Sequence, residues 1–148
     1  MKAVEQISDA IKSRIKAIFP DYKELDFSYF PEKNNFYNNF LRFGVTVAAA
    51  SSTATITKSL SFNHDFKILL TDCYKATDED EIDLTTKIFN VQDRMNDILK
   101  DLYRTNLGLI NLVFQVTPLG IEAPLIVEQQ QLIILTSSLN VTYRLDLI

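Results

Sequence analysis

The chain has 148 residues, 47% of them hydrophobic, with a formal net charge of −4 at pH 7. A chain of this size buries about 70% of the surface its unfolded form exposes, enough for one core, and three glycines with four prolines exclude low-complexity and collagen-like sequences. The acidic balance and scattered Lys and Arg repel polyanions, so no DNA-reading role is expected, although passive contact with DNA along a channel wall is compatible with such a surface.

Val4, Ile7, Ile11, Ile15 and Ile18 recur at three- and four-residue spacing with Glu5, Asp9, Lys12 and Lys16 between them, which predicts an amphipathic helix over about residues 2 to 18. Pro20 disfavours helical geometry at Phe19 and stops it there. The run DFSYF from Asp26 predicts a short strand, and Pro31 with NNFYNN an irregular loop. Phe43, Val45 and Val47 alternate with Arg42, Gly44 and Thr46, and Ile56, Leu60 and Phe62 resume the alternation, so two strands or one long hairpin are expected, with Ala48 to Ala54 at its tip or crossing. Asn63, His64 and Asp65 read as a turn before Phe66, Ile68, Leu69 and Leu70, a central strand ending near Thr71 and Asp72.

Thr77 with Asp80 resembles a capping box, and Asp78, Glu79, Asp80 and Glu81 place negative charge where a helix N-terminus favours it. Ile82, Ile88, Phe89, Met95, Ile98, Leu99 and Leu102 form the expected inner face of a long helix running to about Arg104, with Gly108 ending the connection after it. A strand at about 110 to 117, a loop or short excursion through Pro124, and a last long strand over about 130 to 146 complete the chain; in the last, Leu139, Val141, Tyr143 and Leu145 form the packed face. The expected fold is one α+β domain over residues 1–148, a mostly antiparallel sheet of five or six strands with two main helices packed against it.

Candidate chemistry is sparse. His64 is the only histidine, so nucleophilic triads and most zinc sites lack their base or ligand set, and Cys73, nine residues further along, lies beyond contact if the intervening chain is extended. That lone cysteine points to a reducing compartment, and a cytoplasmic origin is expected because neither a signal-peptide core nor a membrane span is present in the sequence. The acidic run from Asp78 to Asp83 lacks the alternating ligands and central glycine of an EF-hand loop, and no phosphate-binding glycine motif occurs. No catalytic residue, metal or cofactor is expected. The rings of Phe27, Tyr29, Phe30, Phe36, Tyr37, Phe40 and Phe43 have only Lys33 and Arg42 among them, too few cations for a base-stacking platform, and read as core plus a partner-facing patch. The small side chains of Ala48, Ala49, Ala50, Ser51, Ser52, Thr53 and Ala54 permit close backbone approach and mark a candidate subunit interface, with a flexible surface hairpin as the plain alternative.

The order of these elements, with an LTD tripeptide at Leu70 to Asp72, an acidic turn into a long helix, and a closing strand carrying the xVxYR-like Asn140 to Arg144, resembles the tail terminator or tail-completion proteins of long-tailed bacteriophages. The resemblance implies a non-enzymatic virion protein, made in the host cytoplasm, that forms a ring, typically a hexamer, on the tail tube. Its partners would be further copies of itself, the tail tube protein and the head-completion or neck proteins, and DNA would pass through the ring opening. A connector that seals the portal is the neighbouring alternative. A small-molecule-binding α+β domain, with a pocket between the second helix and the sheet, is the alternative from another class; it would need polar groups converging under that helix, on a face the sequence predicts to be apolar throughout.

Overall fold

A computed structural model describes residues 2–24, 41–54, 59–74, 80–109, 111–128 and 131–146, with the backbone alone at 48–54, 59–60, 80–82 and 146. The first helix, α1 (Ala3–Ile18), turns Ile7, Ile11 and Ile15 fully inward at four-residue spacing. It ends as Pro20 dictates, with the Phe19 amide donating to the Ile15 carbonyl at 2.9 Å and the Tyr22 amide to the Phe19 carbonyl at 3.1 Å. The chain then enters a two-residue strand, β1 (Lys23–Glu24), parallel to the start of β2 (Arg42–Ala54). The strand expected at Asp26 and the loop at NNFYNN lie outside the described residues.

β2 and β3 (Ser59–Cys73) form the expected long hairpin, pairing from Arg42 with Thr71 out to Ala54 with Leu60, with a register shift between Val47 and Ala50. Two expectations need correction here. Ala48 to Ala54 is not a tip but continuous strand, and the connection at 55–58 lies outside the described residues. Asn63, His64 and Asp65 do not turn the chain; they sit within β3, paired on one side with β2 and on the other with β6 (Leu132–Asp146). Cross-strand partners satisfy their side chains: Asn140 Nδ2 donates to Asp65 Oδ1 at 2.8 Å and Thr142 Oγ1 to Asn63 Oδ1 at 2.6 Å. Tertiary pairing overrides their turn preference.

The second long helix, α2 (Asp80–Thr105), packs Val91, Met95, Ile98, Leu99 and Leu102 against the sheet. Burying five such side chains contributes roughly 8 to 15 kcal/mol before chain entropy is subtracted. Phe89 departs from the expected inner face, being 61% exposed. Thr77 and the side chain of Ile82 lie outside the described residues. A short 3₁₀ turn, Asn106–Gly108, closes the helix with positive φ at all three residues; Leu107 tolerates this because its side chain is anchored in the core.

β4 (Val113–Ile121) begins later and runs further than the sequence suggests, passing through Pro118, and β5 (Leu125–Val127) follows where an excursion is expected. Both pair antiparallel with the same side of β6. Pro118 is accommodated because β4 is an edge strand, shifted in register at Val113/Gln115 and again at Pro118/Gly120. Among the described residues the order is β1-β2-β3-β6-β4, six strands with β5, and only β1 to β2 is parallel. This is an α+β fold with both helices on one side of the sheet. Phe43, Val45, Phe66, Ile68, Leu70, Leu135, Leu139, Val141 and Tyr143 face them, while the opposite side is polar along Asn63, Asp65, Thr142 and Asn140. As expected, the packed face of β6 alternates through Leu139, Val141 and Tyr143, but at Leu145 it opens to 38% exposure.

Candidate functional site

Three places hold what chemistry the described residues offer. The first is the predicted interface segment. Ala48 to Ala54 forms the outer part of β2, and from Gly44 to Ala54 that strand has, among the described residues, a neighbour on the β3 side alone. That edge of β2 carries no proline and no charge from Phe43 to Ala54. At about 3.4 Å per residue, Val47 to Ala54 extends roughly 24 Å.

The second is an aromatic stack on the helix side of the same ladder. Tyr143 on β6 is the cross-strand partner of Phe62 and the diagonal neighbour of His64, which stands two residues along β3 opposite Val141. The Tyr143 ring lies 5.3 Å from Phe62 and 5.4 Å from His64, nearly parallel to both, and its hydroxyl is 2.9 Å from His64 Nδ1. Partial burial holds the imidazole below its ordinary pKa against the pull of Asp65, and burial raises that of the Tyr143 phenol. Cys73 lies on β3 as well, nine positions on and by strand alternation on the opposite side of the sheet, so the two residues do not meet.

The third is beneath α2, where the sequence predicts apolar side chains throughout. Asp72, 1% exposed, ends β3 on the helix side, and its Oδ2 lies 3.7 Å from Arg94 Nη1. That nitrogen also donates to the Tyr22 hydroxyl at 3.2 Å, and the guanidinium sits 5.8 Å from the Tyr22 ring centre. Burial raises the Asp72 pKa against the opposing Cys73 amide, Lys87 and Arg94, with Asp83 adding to the rise. Burial also raises the Tyr22 phenol, opposed by Arg94. Sequence reasoning missed this cluster because its members, 22, 72 and 94, are far apart in the chain; the one available signal was an aspartate closely following the apolar run Ile68, Leu69 and Leu70.

The motifs behind the family resemblance thus have structural roles. Leu70 is core and Asp72 is the buried carboxylate; in the closing strand Asn140 and Thr142 bind across to β3, Val141 and Tyr143 pack inward, and Arg144 lies 4.2 Å over the Phe114 ring. An open cleft of about 530 Å³ lies between the helices, lined by Ile18, Asp97, Lys100, Asp101, Arg104 and Thr105. Asp101 is engaged there by Arg14, whose Nε and Nη2 donate to its two oxygens at 2.8 and 2.6 Å. Among the described residues no cluster of three or more His, Cys, Asp or Glu is placed to hold a metal, and no helix is long and apolar enough to cross a membrane. Of the rings from Phe27 to Phe43, only Phe43 falls within the described residues, and it is fully buried. No protein-family model and no curated protein matches this chain.

Proposed function

We propose that this chain is a structural subunit that assembles with copies of itself into a ring, of the kind that caps the tail tube of a long-tailed phage and offers the head its joining surface. It acts by geometry, not by chemistry on a substrate. The observation that carries the reading is the asymmetry of the two sheet edges. β4 is blunted by Pro118 and two register shifts, the usual protection of an edge that stays unpaired. The outer half of β2 has one register shift, between Val47 and Ala50, but neither charge nor proline, and its small residues let another backbone approach. A long uncharged edge of this kind is an association hazard in a monomer and an asset in a subunit.

Replacing Ala49 or Ser52 with Trp tests the reading by light scattering and electron microscopy. The native chain is expected to form rings that bind purified tail tubes, and the variants to lose rings while melting unchanged. A chain that stays monomeric at every concentration, with and without tail tubes, refutes it, and copurification with the portal instead of the tube favours the connector form.

A second reading, a small-molecule-binding domain, draws on the Asp72, Arg94 and Tyr22 cluster under α2. Asp72→Asn separates the two: it leaves rings intact if the cluster is unrelated to assembly.

A further inference from the structure

Arg94 joins three parts of the molecule that are distant in sequence. It projects from α2, reaches the last turnward carboxylate of β3, and donates to Tyr22 in the link between α1 and β1. The carboxylate is held unequally. Asp72 Oδ1 accepts the Cys73 amide at 2.7 Å, a short charge-assisted bond, whereas Oδ2 faces Arg94 Nη1 at 3.7 Å, an ion pair without hydrogen-bond contact. The side chains differ in exposure too, 2% for Asp72 and 31% for Arg94, so the guanidinium can return to water and the carboxylate cannot. The other charged groups acting on Asp72 are Lys87 and Asp83, both from α2, and its partner on β6 is the apolar Ile133.

We propose that Asp72, Arg94 and Tyr22 form a proton-operated latch. Ionised Asp72 draws Arg94 onto the sheet and, through Tyr22, fixes the α1–β1 link and α2 at one end of it; protonated Asp72 leaves Arg94 with Tyr22 alone, and that end loosens. The latch is independent of the ring reading, since it lies within one subunit.

The direction of titration fits. Burial raises the folded-state pKa of Asp72 above the ordinary 3.8, so the proton is taken up at milder acidity than by an exposed aspartate. The folded state then binds more protons than the unfolded state between the two pKa values. Stability from this group is therefore fully present below 3.8 and is lost as pH rises through the folded pKa. Acidification thus loosens the latch locally while this group's contribution to global stability rises.

The test uses the whole chain, with carbon NMR of the Asp72 carboxyl and amide exchange followed between about pH 3.5 and 7, corrected for intrinsic rates. The reporting amides are Lys23, which donates to the Leu41 carbonyl at 2.9 Å, and those of α2 near Arg94. Protection at both is expected to fall about two- to fivefold as the carboxyl protonates, the effect of losing one partly exposed ionic contact. Asp72→Asn, which keeps the oxygen that accepts the Cys73 amide, is expected to show the low protection at every pH. A variant that keeps the native pH dependence overturns the proposal. Should that variant not fold, the native protein decides alone: coincident midpoints for the carboxyl and the two sets of amides support the latch, and separate midpoints, or unchanged protection as the carboxyl titrates, overturn it.

Discussion

Ile98 and Phe89 stand on the same helix, both apolar, and the structure assigns them opposite energetic roles. Ile98 is fully buried among the β-sheet residues of the core, while Phe89 is 61% exposed. Cutting Ile98 back to Ala removes its buried methyl and methylene groups and leaves a cavity beneath α2, a loss of about 2 to 5 kcal/mol. For a chain of this length each kcal/mol lowers the melting temperature by about 2 to 4 °C, so the drop is expected to be roughly 4 to 20 °C. Phe89→Ala removes the larger side chain yet is expected to change stability by no more than about 0.5 kcal/mol, because little of the ring leaves water on folding. Urea denaturation of the two variants beside the native chain gives both values. A cost for Phe89→Ala that matches or exceeds that of Ile98→Ala refutes the placement of α2 on the sheet. Ile98→Asp is the harsher form of the test, expected to unfold the chain by placing a charge in the core without a partner.

Two further outcomes follow from polar contacts. The bidentate pair of Arg14 and Asp101 ties α1 to α2, but with side chains 37% and 20% exposed it is screened by water; a double-mutant cycle is expected to give a coupling of about 0.5 to 1 kcal/mol that shrinks in high salt, and no coupling at low salt refutes the contact. His64 has a folded-state pKa below the ordinary 6.5, so its stabilising contribution is present above that value and is lost as pH falls through the folded pKa. His64→Phe keeps the ring stack with Tyr143 and removes the titration, so the variant is expected to gain on the native chain between about pH 7.5 and pH 5; a stability difference constant over that range contradicts the burial of the imidazole.

The elements readable from sequence were those whose own side chains make the case. The four-residue repeat of Ile7, Ile11 and Ile15 fixes α1 and its buried face together, and the alternation through Leu139, Val141 and Tyr143 does the same for β6. Asn63 to Asp65 misled because local preference for a turn is worth less than two ladders and two cross-strand hydrogen bonds, none of which is local. A period-two count carried back from Ile68 through Phe66, His64 and Phe62 would have recovered the strand. β5 had no such signal: three residues pairing at 132–134 owe their strand conformation to β6. The Asp72 cluster was illegible for the same reason, since a contact among residues 22, 72 and 94 exists only once the α1–β1 link, β3 and α2 have been brought together.

The candidate interface raises a different difficulty, because a strand edge recognises its partner with backbone groups. Every residue but proline carries the same donor and acceptor, so Ala48 to Ala54 advertises itself only by what it lacks: charge, proline and bulk. The contrast with β4 turns that absence into an argument. Both edges belong to one sheet, and each has irregular register, once in β2 between Val47 and Ala50 and twice in β4, yet only β4 carries a proline. The same contrast constrains how copies could join. Two β2 edges meeting antiparallel would form a two-fold pair that uses both edges up, whereas a ring with one kind of joint needs two different surfaces on each subunit. If copies of this chain form a ring and β4 stays unpaired, the surface that receives β2 lies elsewhere than the opposite sheet edge, and the head-to-tail joint would not be a simple extension of the sheet from one subunit to the next.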